Sequence, residues 1–569
     1  MESKLNVKSR LMSAIVFFMC LFAVCFAAGK EPPGPEDAYI DGSSHAYYGK
    51  DQGGWRYTRR QFGHNLYGRR GQLQILDILD GLNEEAVKKC EQVLATEPND
   101  LESLFILTVA RCALKDYAGA AESMTRAVEG GLPFGRFLAG PREILKPLRD
   151  TDEFRRYADR YKIQLIHGPM LGCLTDTSAR FWVRTVDEVP VQVVVSKSKD
   201  LSKPIKSTLT STSSKVDYTA VVEVKALQPD TLYYYDLMLN GKPVLATELP
   251  SFQTYKNTGS KANIQVVFGG GAMYTPANER MWDTIGSHSP EALLLLGDNV
   301  YIDFPQQFGE FHKYTYYCRQ SRPEFRKLTR SVPVYSIWDD HDCAIGDSWM
   351  GPYPDKPSWK MSLLEGFRMN WNNPGYGTEQ WPACWFKFSI ADVDFFMLDC
   401  RFYRTNPYGE NPSMLGPVQK AWLMKEVKQS KATFKVLASS VPWSFGTKGK
   451  SLDTWNGFRD EREEIFGLLE ENKIDGVVLI SADRHRSDAR KIERPKGYPF
   501  YEFESSRLTN EHKHPLRPGA IFGYNEKPSF GLLSFDITIP DPTVTFQIIS
   551  INNEAVHSLT LKKSDISHK

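Results

Sequence analysis

The sequence predicts a mixed chain whose carboxyl-terminal half is a single layered α/β domain, and three observations carry that reading. Short apolar runs at residues 264–268, 292–296, 332–338, 393–398, 434–438 and 477–480 alternate with polar or amphipathic stretches, the pattern of buried strands with helices outside. Three of those runs pass at once into ionisable residues. Ahead of them lie short alternating strands at 163–256 and a helical stretch at 76–160.

At 569 residues the chain is too long for one ordinary core, so several domains are expected. Hydrophobic residues make up 41% and charged residues 24%, a globular balance. Lys plus Arg (70) nearly equals Asp plus Glu (69), so no basic field exists to hold nucleic acid, and none is expected as a partner. Lys4, Lys8 and Arg10 precede an uncharged apolar run at 14–28 that ends in Ala27-Ala28. This is the layout of a secretory signal peptide over residues 1–28. The run is short for a full span, so no transmembrane segment is expected after its removal. The predicted location is secreted, periplasmic or cell-surface. The nine cysteines are scattered, with no C-x-x-C pair, which argues against a zinc knot or disulfide scaffold and leaves room for one or two bridges.

Residues 29–75, rich in Gly, Tyr and Arg, read as an irregular lead-in. In 76–160, Ala86-Val87-x-x-Cys90 recurs 34 residues later as Ala120-Ala121-x-x-Met124, with an apolar helix at 101–114 between the copies. The period resembles tetratricopeptide repeats. Such a short helical repeat segment is either a docking surface for a protein partner or a brace leaning on another domain. Residues 163–256 alternate apolar and polar positions around turn residues, as in a small all-β sandwich of the fibronectin type III sort. No chemistry is assigned to it. The rest, 262–569, forms the α/β domain, and tail strands at 530–537 and 543–549 are expected to complete a second sheet.

Chemistry gathers past the strand ends. Leu296 runs into Gly297-Asp298-Asn299-Val300-Tyr301, Trp338 into Asp339-Asp340-His341-Asp342, and Ile480 into Ser481-Ala482-Asp483-Arg484-His485. In open α/β sheets, sites form at the carboxyl ends of strands, so the three junctions are expected to converge. Asp298, Tyr301, Asp340, Asp483 and His485 offer oxygen and imidazole donors suited to hard or borderline cations. Two such cations would clamp a phosphoryl group and lower the pKa of a bound water. Without metal, so many buried carboxylates would repel one another. Arg401, Arg404 and Arg484 match phosphate oxygens in geometry, and Asn299 lies on the same loop as Asp298.

These motifs resemble those of the PhoD-like alkaline phosphatases, a branch of the metallophosphoesterases. Leu398-Asp399-Cys400-Arg401 with Arg404 is similar to a further motif of that family, and the resemblance spans residues 165–550. It implies a layered metallophosphoesterase-type β-sandwich flanked by helices. It also implies that Asp298 bridges two metals, Tyr301 and His485 hold one, and Asp340 and Asp483 the other. His341 would stand by the phosphoryl group as a charge stabiliser or proton donor, with Arg484 beside it and Asn299 and Arg401 on phosphate. The family hydrolyses phosphomonoesters or phosphodiesters, often with iron and calcium. Gly271 stands where the family commonly has an iron-ligating cysteine, and Ala482 where glycine is usual. Iron is therefore in question, and calcium, iron, manganese and zinc remain open. The expected function is an exported metal-dependent phosphoesterase. The alternative is an inactive relative that binds partners through its helical repeats.

Overall fold

Hydrophobic runs too short for helices pair into two large sheets. Strands Asn263–Gly269, Ala292–Leu296 and Val334–Ile337 run parallel, and Ser529–Asp536 joins the free side of the first antiparallel. Thr543–Ser550 and Ala555–Lys562 extend this six-stranded sheet. The tail strands therefore enlarge the first sheet, where the sequence suggested a second. Gly531 permits this: a Cβ there would lie 2.3 Å from the ring of Phe268 on the neighbouring strand.

The second sheet has seven strands. Val393–Met397, Phe434–Ala438, Val477–Ser481 and Phe500–Ser505 are parallel, flanked by Phe386–Ile390 on one side and by Ser487–Ile492 and Ala520–Tyr524 on the other. The sheets stack through aromatic side chains. Phe535 of the first meets Phe434 and Phe395 of the second at 5.3 and 6.4 Å between ring centroids, and Phe546 stacks on Phe503 at 4.4 Å. Burying each such ring contributes about 1.5–3 kcal/mol. At the site end, a bridge between Gly270 and Ser506 stitches one sheet to the other.

The computed structural model describes residues 66–569 apart from 246–247, 304, 306–307 and 345. The expected signal segment and most of the lead-in lie outside the described residues. Among them no helix is long and apolar enough to cross a membrane. The seven described cysteines are all buried free thiols, so no disulfide forms among the described residues.

Residues 165–253 fold into two facing antiparallel sheets, one of Leu165–Gly172, Ala179–Thr185 and Thr219–Val224, the other built on Pro190–Ser196 and Leu232–Leu239. Phe181 of the first packs on Tyr235 and Phe252 of the second, at 4.6 and 5.6 Å. Arg184, fully buried, reaches out of this unit to Asn370 Oδ1 at 2.8 Å.

The helical stretch begins earlier than expected. Helix Tyr67–Leu79 occupies the end of the supposed irregular lead-in. Its two early glycines hide it from propensity, yet they serve close packing: a Cβ at Gly71 would lie 2.7 Å from Tyr314 Oη. Helices Asn83–Thr96, Leu101–Ala113 and Tyr117–Glu129 follow. Asp100 and Asp116 cap the last two by accepting from Ser103 N (2.7 Å) and Gly119 N (3.0 Å). The 34-residue period is incomplete, because Tyr117–Glu129 leads into short helices Gly135–Ala139 and Arg142–Leu145 rather than a second long partner.

This helical segment packs on the α/β domain. Glu102, buried, takes Arg136 in a bidentate pair (2.7 and 3.2 Å) and accepts from Tyr314 Oη of the α/β domain at 2.9 Å. Burial raises the Glu102 carboxyl, but Arg136 outweighs it and holds the acid below its ordinary value. The associated stability is therefore complete above the ordinary glutamate range and lost as pH falls through the depressed value. Glu102→Ala leaves Arg136 buried and unpaired, so denaturant unfolding is expected to show a loss of about 3–5 kcal/mol. An unchanged midpoint would show that the pair does not anchor the helices.

Candidate metal centre

Three strand ends meet beside the Gly270–Ser506 stitch. After Ala292–Leu296 the chain turns through Gly297 at φ +107°, where a Cβ would lie 2.5 Å from that of Asp339. Asp298 follows at φ +53°, and Asp483 and His485 take φ +70° and +45°. Left-handed backbone is uncommon for such residues and costs on the order of 1 kcal/mol each. The strain sits where ionisable side chains turn inward.

Asp298 lies at the middle. Its Oδ2 accepts from Tyr301 Oη at 2.8 Å and lies 3.5 Å from His485 Nε2, which is 3.2 Å from the same phenol. Its Oδ1 is buried and has no hydrogen-bond partner among the described residues. Burial, reinforced by the Asp298 charge, drives the Tyr301 phenol well above its usual range. Asn510 Nδ2 donates to that phenol at 2.6 Å.

Strand Val334–Ile337 delivers the second group. Asp340 opens a short helix, Asp340–Cys343, and its carboxylate accepts from His341 N (2.9 Å) and Asp347 N (2.6 Å). Burial raises Asp340, but Arg401 and His341 overcome it and hold the acid below its ordinary value. Asp342 accepts from Asn299 N and Val300 N, each at 2.8 Å, and so clamps the Asp298 loop; burial and then Asp298 push its acid up to about 8.

His341 is the most open member, its side chain 25% exposed. The ring stacks on Tyr301 at 4.7 Å, and Nδ1 pairs with the carboxylate of Asp303. Arg69, from helix Tyr67–Leu79, pairs with the same carboxylate and places Nη2 3.5 Å from His341 Nδ1 and its guanidinium 5.1 Å from the Tyr301 ring centre. Gln72 of that helix donates to Tyr301 O.

Among the described residues, three groups of donors gather ligand atoms within 4.8 Å of one another: Asp298, Asp340 and His341; Asp340, Asp347 and Asp453; and His485, His512 and His514. The second is already neutralised. Arg401, Arg404 and Lys448 reach Asp453 at 2.6, 2.7 and 2.7 Å, and Lys448 also pairs with Asp347. They outweigh the effect of burial and hold Asp453 well below the usual carboxylate range. The first differs in kind. A buried carboxylate oxygen without a partner, beside a phenol and imidazoles, is a donor set that fits a hard or borderline cation.

Asp298, Tyr301 and His485 thus come together, with Asp340 and His341 adjoining. Asp483, 8% exposed, lies outside the three groups, its Oδ2 3.3 Å from Arg484 Nη1. Two residues expected on phosphate have protein partners instead. Arg401, expected on phosphate, is fully buried, with Nε on Asp339 at 2.5 Å and its other nitrogens on Asp453 and Ser348 O. The reason is the cost of burying carboxylates without a counter-charge. Asn299 also turns inward, donating to Ile337 O (2.8 Å) and Ser336 Oγ (3.1 Å). Residues that sequence reasoning missed are Arg69, Asp303, Asn510, His512 and His514. Asp303 lies two positions past Tyr301, and His512-x-His514 is a visible metal-type spacing; Arg69 carries no signal of its own.

A family model described as PhoD-like phosphatase matches residues 266–527, and a domain of unknown function (DUF7800) matches residues 162–257, the stretch of the two facing sheets. Alkaline phosphatase D of Bacillus subtilis (strain 168) is 21% identical over 360 residues, which is 53% of this chain and 59% of that protein, so the chain spans less than two thirds of this relative. Among solved structures, one described as the structure of PhoD superposes with a TM-score of 0.59 at 16% identity, over 69% of this chain and 89% of that one. Purple acid phosphatase PPD1 from yellow lupin (Lupinus luteus) seeds gives 0.52 at 12% identity, over 70% and 75%. Both show a shared fold. With the family model and the shared fold in agreement, residues 266–527 form a PhoD-like phosphatase domain.

Proposed function

We propose that this chain is an exported metal-dependent phosphoesterase that hydrolyses phosphomonoesters or phosphodiesters. The observation that carries the reading is the buried Oδ1 of Asp298, unpartnered among the described residues, on a carboxylate whose Oδ2 meets Tyr301 and His485 and which gathers with Asp340 and His341. Asp298, Tyr301 and His485 would hold one cation, and Asp298, Asp340 and Asp483 a second. When bound, such a pair activates a water and neutralises charge developing on the phosphoryl oxygens.

The remaining chemistry belongs to side chains. Hydrolysis joins a water oxygen to phosphorus, breaks the bond to the leaving oxygen and requires a proton there. His341 would serve that step, with Asp303 holding its Nδ1 and Nε2 left for the leaving oxygen. Arg484, with its Nε unpartnered among the described residues, supplies a guanidinium for phosphoryl oxygens. Arg69 acts through the Asp303–His341 pair and adds positive charge behind the carboxylates. Because the helical segment contributes this residue and packs on the domain, it supports the enzyme reading more than the partner-docking one.

Metal content and turnover, measured on wild type, Asp298→Ala and His341→Ala, test the proposal. Asp298→Ala is expected to lose bound cation and activity together. His341→Ala should keep its cations and lose about 10²–10⁴-fold in turnover, the range of one general acid. A metal-loaded wild type inert towards both ester types, across several cations, would sink the reading.

Arg69→Ala should keep its cations and lower kcat by about 10-fold or more, with a smaller effect in Arg69→Lys. Combined with His341→Ala it should add little, since groups that act as a unit are not additive. Full additivity would mean that Arg69 works independently of His341.

A further inference from the structure

Past strand Phe500–Ser505 the chain carries two histidines that the phosphoesterase reading leaves unused. His512 is exposed and His514 half-buried, and their Nε2 atoms lie 3.0 Å apart. His485, only 5% exposed, stacks on His514 at 5.0 Å and 9°, and meets His512 edge-on at 5.2 Å. One ring nitrogen from each of the three lies within 4.8 Å of the others.

The hydrogen bonding around these rings is incomplete. His485 Nε2 already approaches Asp298 and Tyr301, while its Nδ1 is buried and has no partner among the described residues; His514 Nδ1 is buried in the same way. A buried polar atom left unmade costs about 1–3 kcal/mol. Contact between His512 and His514 satisfies one nitrogen of each ring and leaves these two unpaired. Three imidazoles in this proximity, with no carboxylate in the group, have the composition of a nitrogen-donor cation site.

We propose that His512 and His514, with His485 as third donor, bind a borderline divalent cation such as zinc beside the carboxylate centre. The proposal rests on the phosphoesterase reading only in that the two sites share His485. Three protein nitrogens leave a fourth position for a water or a phosphate oxygen, and the exposure of His512 opens that position to solvent. With its ring proton released to solvent, His485 would present Nε2 to the carboxylate centre and Nδ1 to this cation, and a substrate phosphate would have a further positive charge to lie against.

The test compares the full chain loaded with Co²⁺, wild type against His512→Ala/His514→Ala. The double variant is expected to hold about one cation per chain fewer and to lose the visible absorption of nitrogen-ligated Co²⁺. Its Zn²⁺ binding at this site should weaken by more than the about 10–100-fold that loss of an outer-shell partner costs. His512→Asn, at an exposed position, should reproduce part of the spectral change, with circular dichroism verifying the fold. Equal cation content and superimposable spectra would overturn the site. Turnover is read separately. An inert wild type that still differs from the double variant by one cation leaves this site standing while the phosphoesterase reading fails. An active wild type with identical spectra removes this site alone.

Discussion

The fully buried guanidinium of Arg401 bonds Asp339 along one edge and Asp453 along the other, and lies 3.7 Å from Asp340. The convergence of the strand ends rests on it. Breaking a buried pair by removing one partner costs about 3–5 kcal/mol, and here one cation serves three carboxylates. Arg404 and Lys448 share the load at Asp453. The acids consequently divide into two kinds. Asp453 is bound up in protein cations, and Asp339 is held between Arg401 and Ser440 Oγ at 2.8 Å. Asp298 has no such cation on its buried Oδ1 among the described residues. Interior charge neutralised by arginine frames a place where charge is left over, and that contrast distinguishes the centre from the salt-bridge cluster beside it.

The same accounting explains why the helical segment is part of the domain it precedes. Arg69 brings a guanidinium to Asp303 from the amino-terminal side, and Gln72 secures the Tyr301 loop from the same helix. One turn of the third helix places Glu102 against Tyr314 of the α/β domain. The close approach depends on Gly71, since any Cβ there would run into Tyr314. Buried polar groups of these helices thus bond within their own chain, and Arg69 and Gln72 reach the site.

Much of the α/β framework was legible because its central strands are buried on both faces and read as unbroken apolar runs. Ala292–Leu296 and Phe434–Ala438 match the sequence boundaries, and the three polar junctions do meet. Strand Phe386–Ile390 escaped because it lies at the sheet edge and alternates, Phe386-Lys387-Phe388-Ser389-Ile390. At the site, Asp298, Tyr301 and His485 announced themselves by following buried strands. Arg401 followed one too, yet its direction could not be read, since an arginine that neutralises carboxylates and one that binds phosphate have the same local sequence. Arg69 and Asn510 act across more than two hundred positions, a separation that no periodicity encodes.

Gly270 and Gly271 each leave room for a neighbouring segment. A Cβ on Gly270 would lie 2.8 Å from that of Ala482, and one on Gly271 would lie 2.9 Å from Arg507 N, with Gly271 already at φ +68°. Backbone from 506–510 occupies the ground on which a side chain at 271 would stand. Leu508 N, Thr509 N and Asn510 N donate to Gly270 O and Gly271 O at 3.0–3.3 Å, which fixes that crossing. The polar group that reaches Tyr301 from this side is therefore the Asn510 amide, and the segment continues directly into His512 and His514. Glycine at 271 therefore lets this segment pass at its present distance, since a Cβ there would press on the backbone of Arg507.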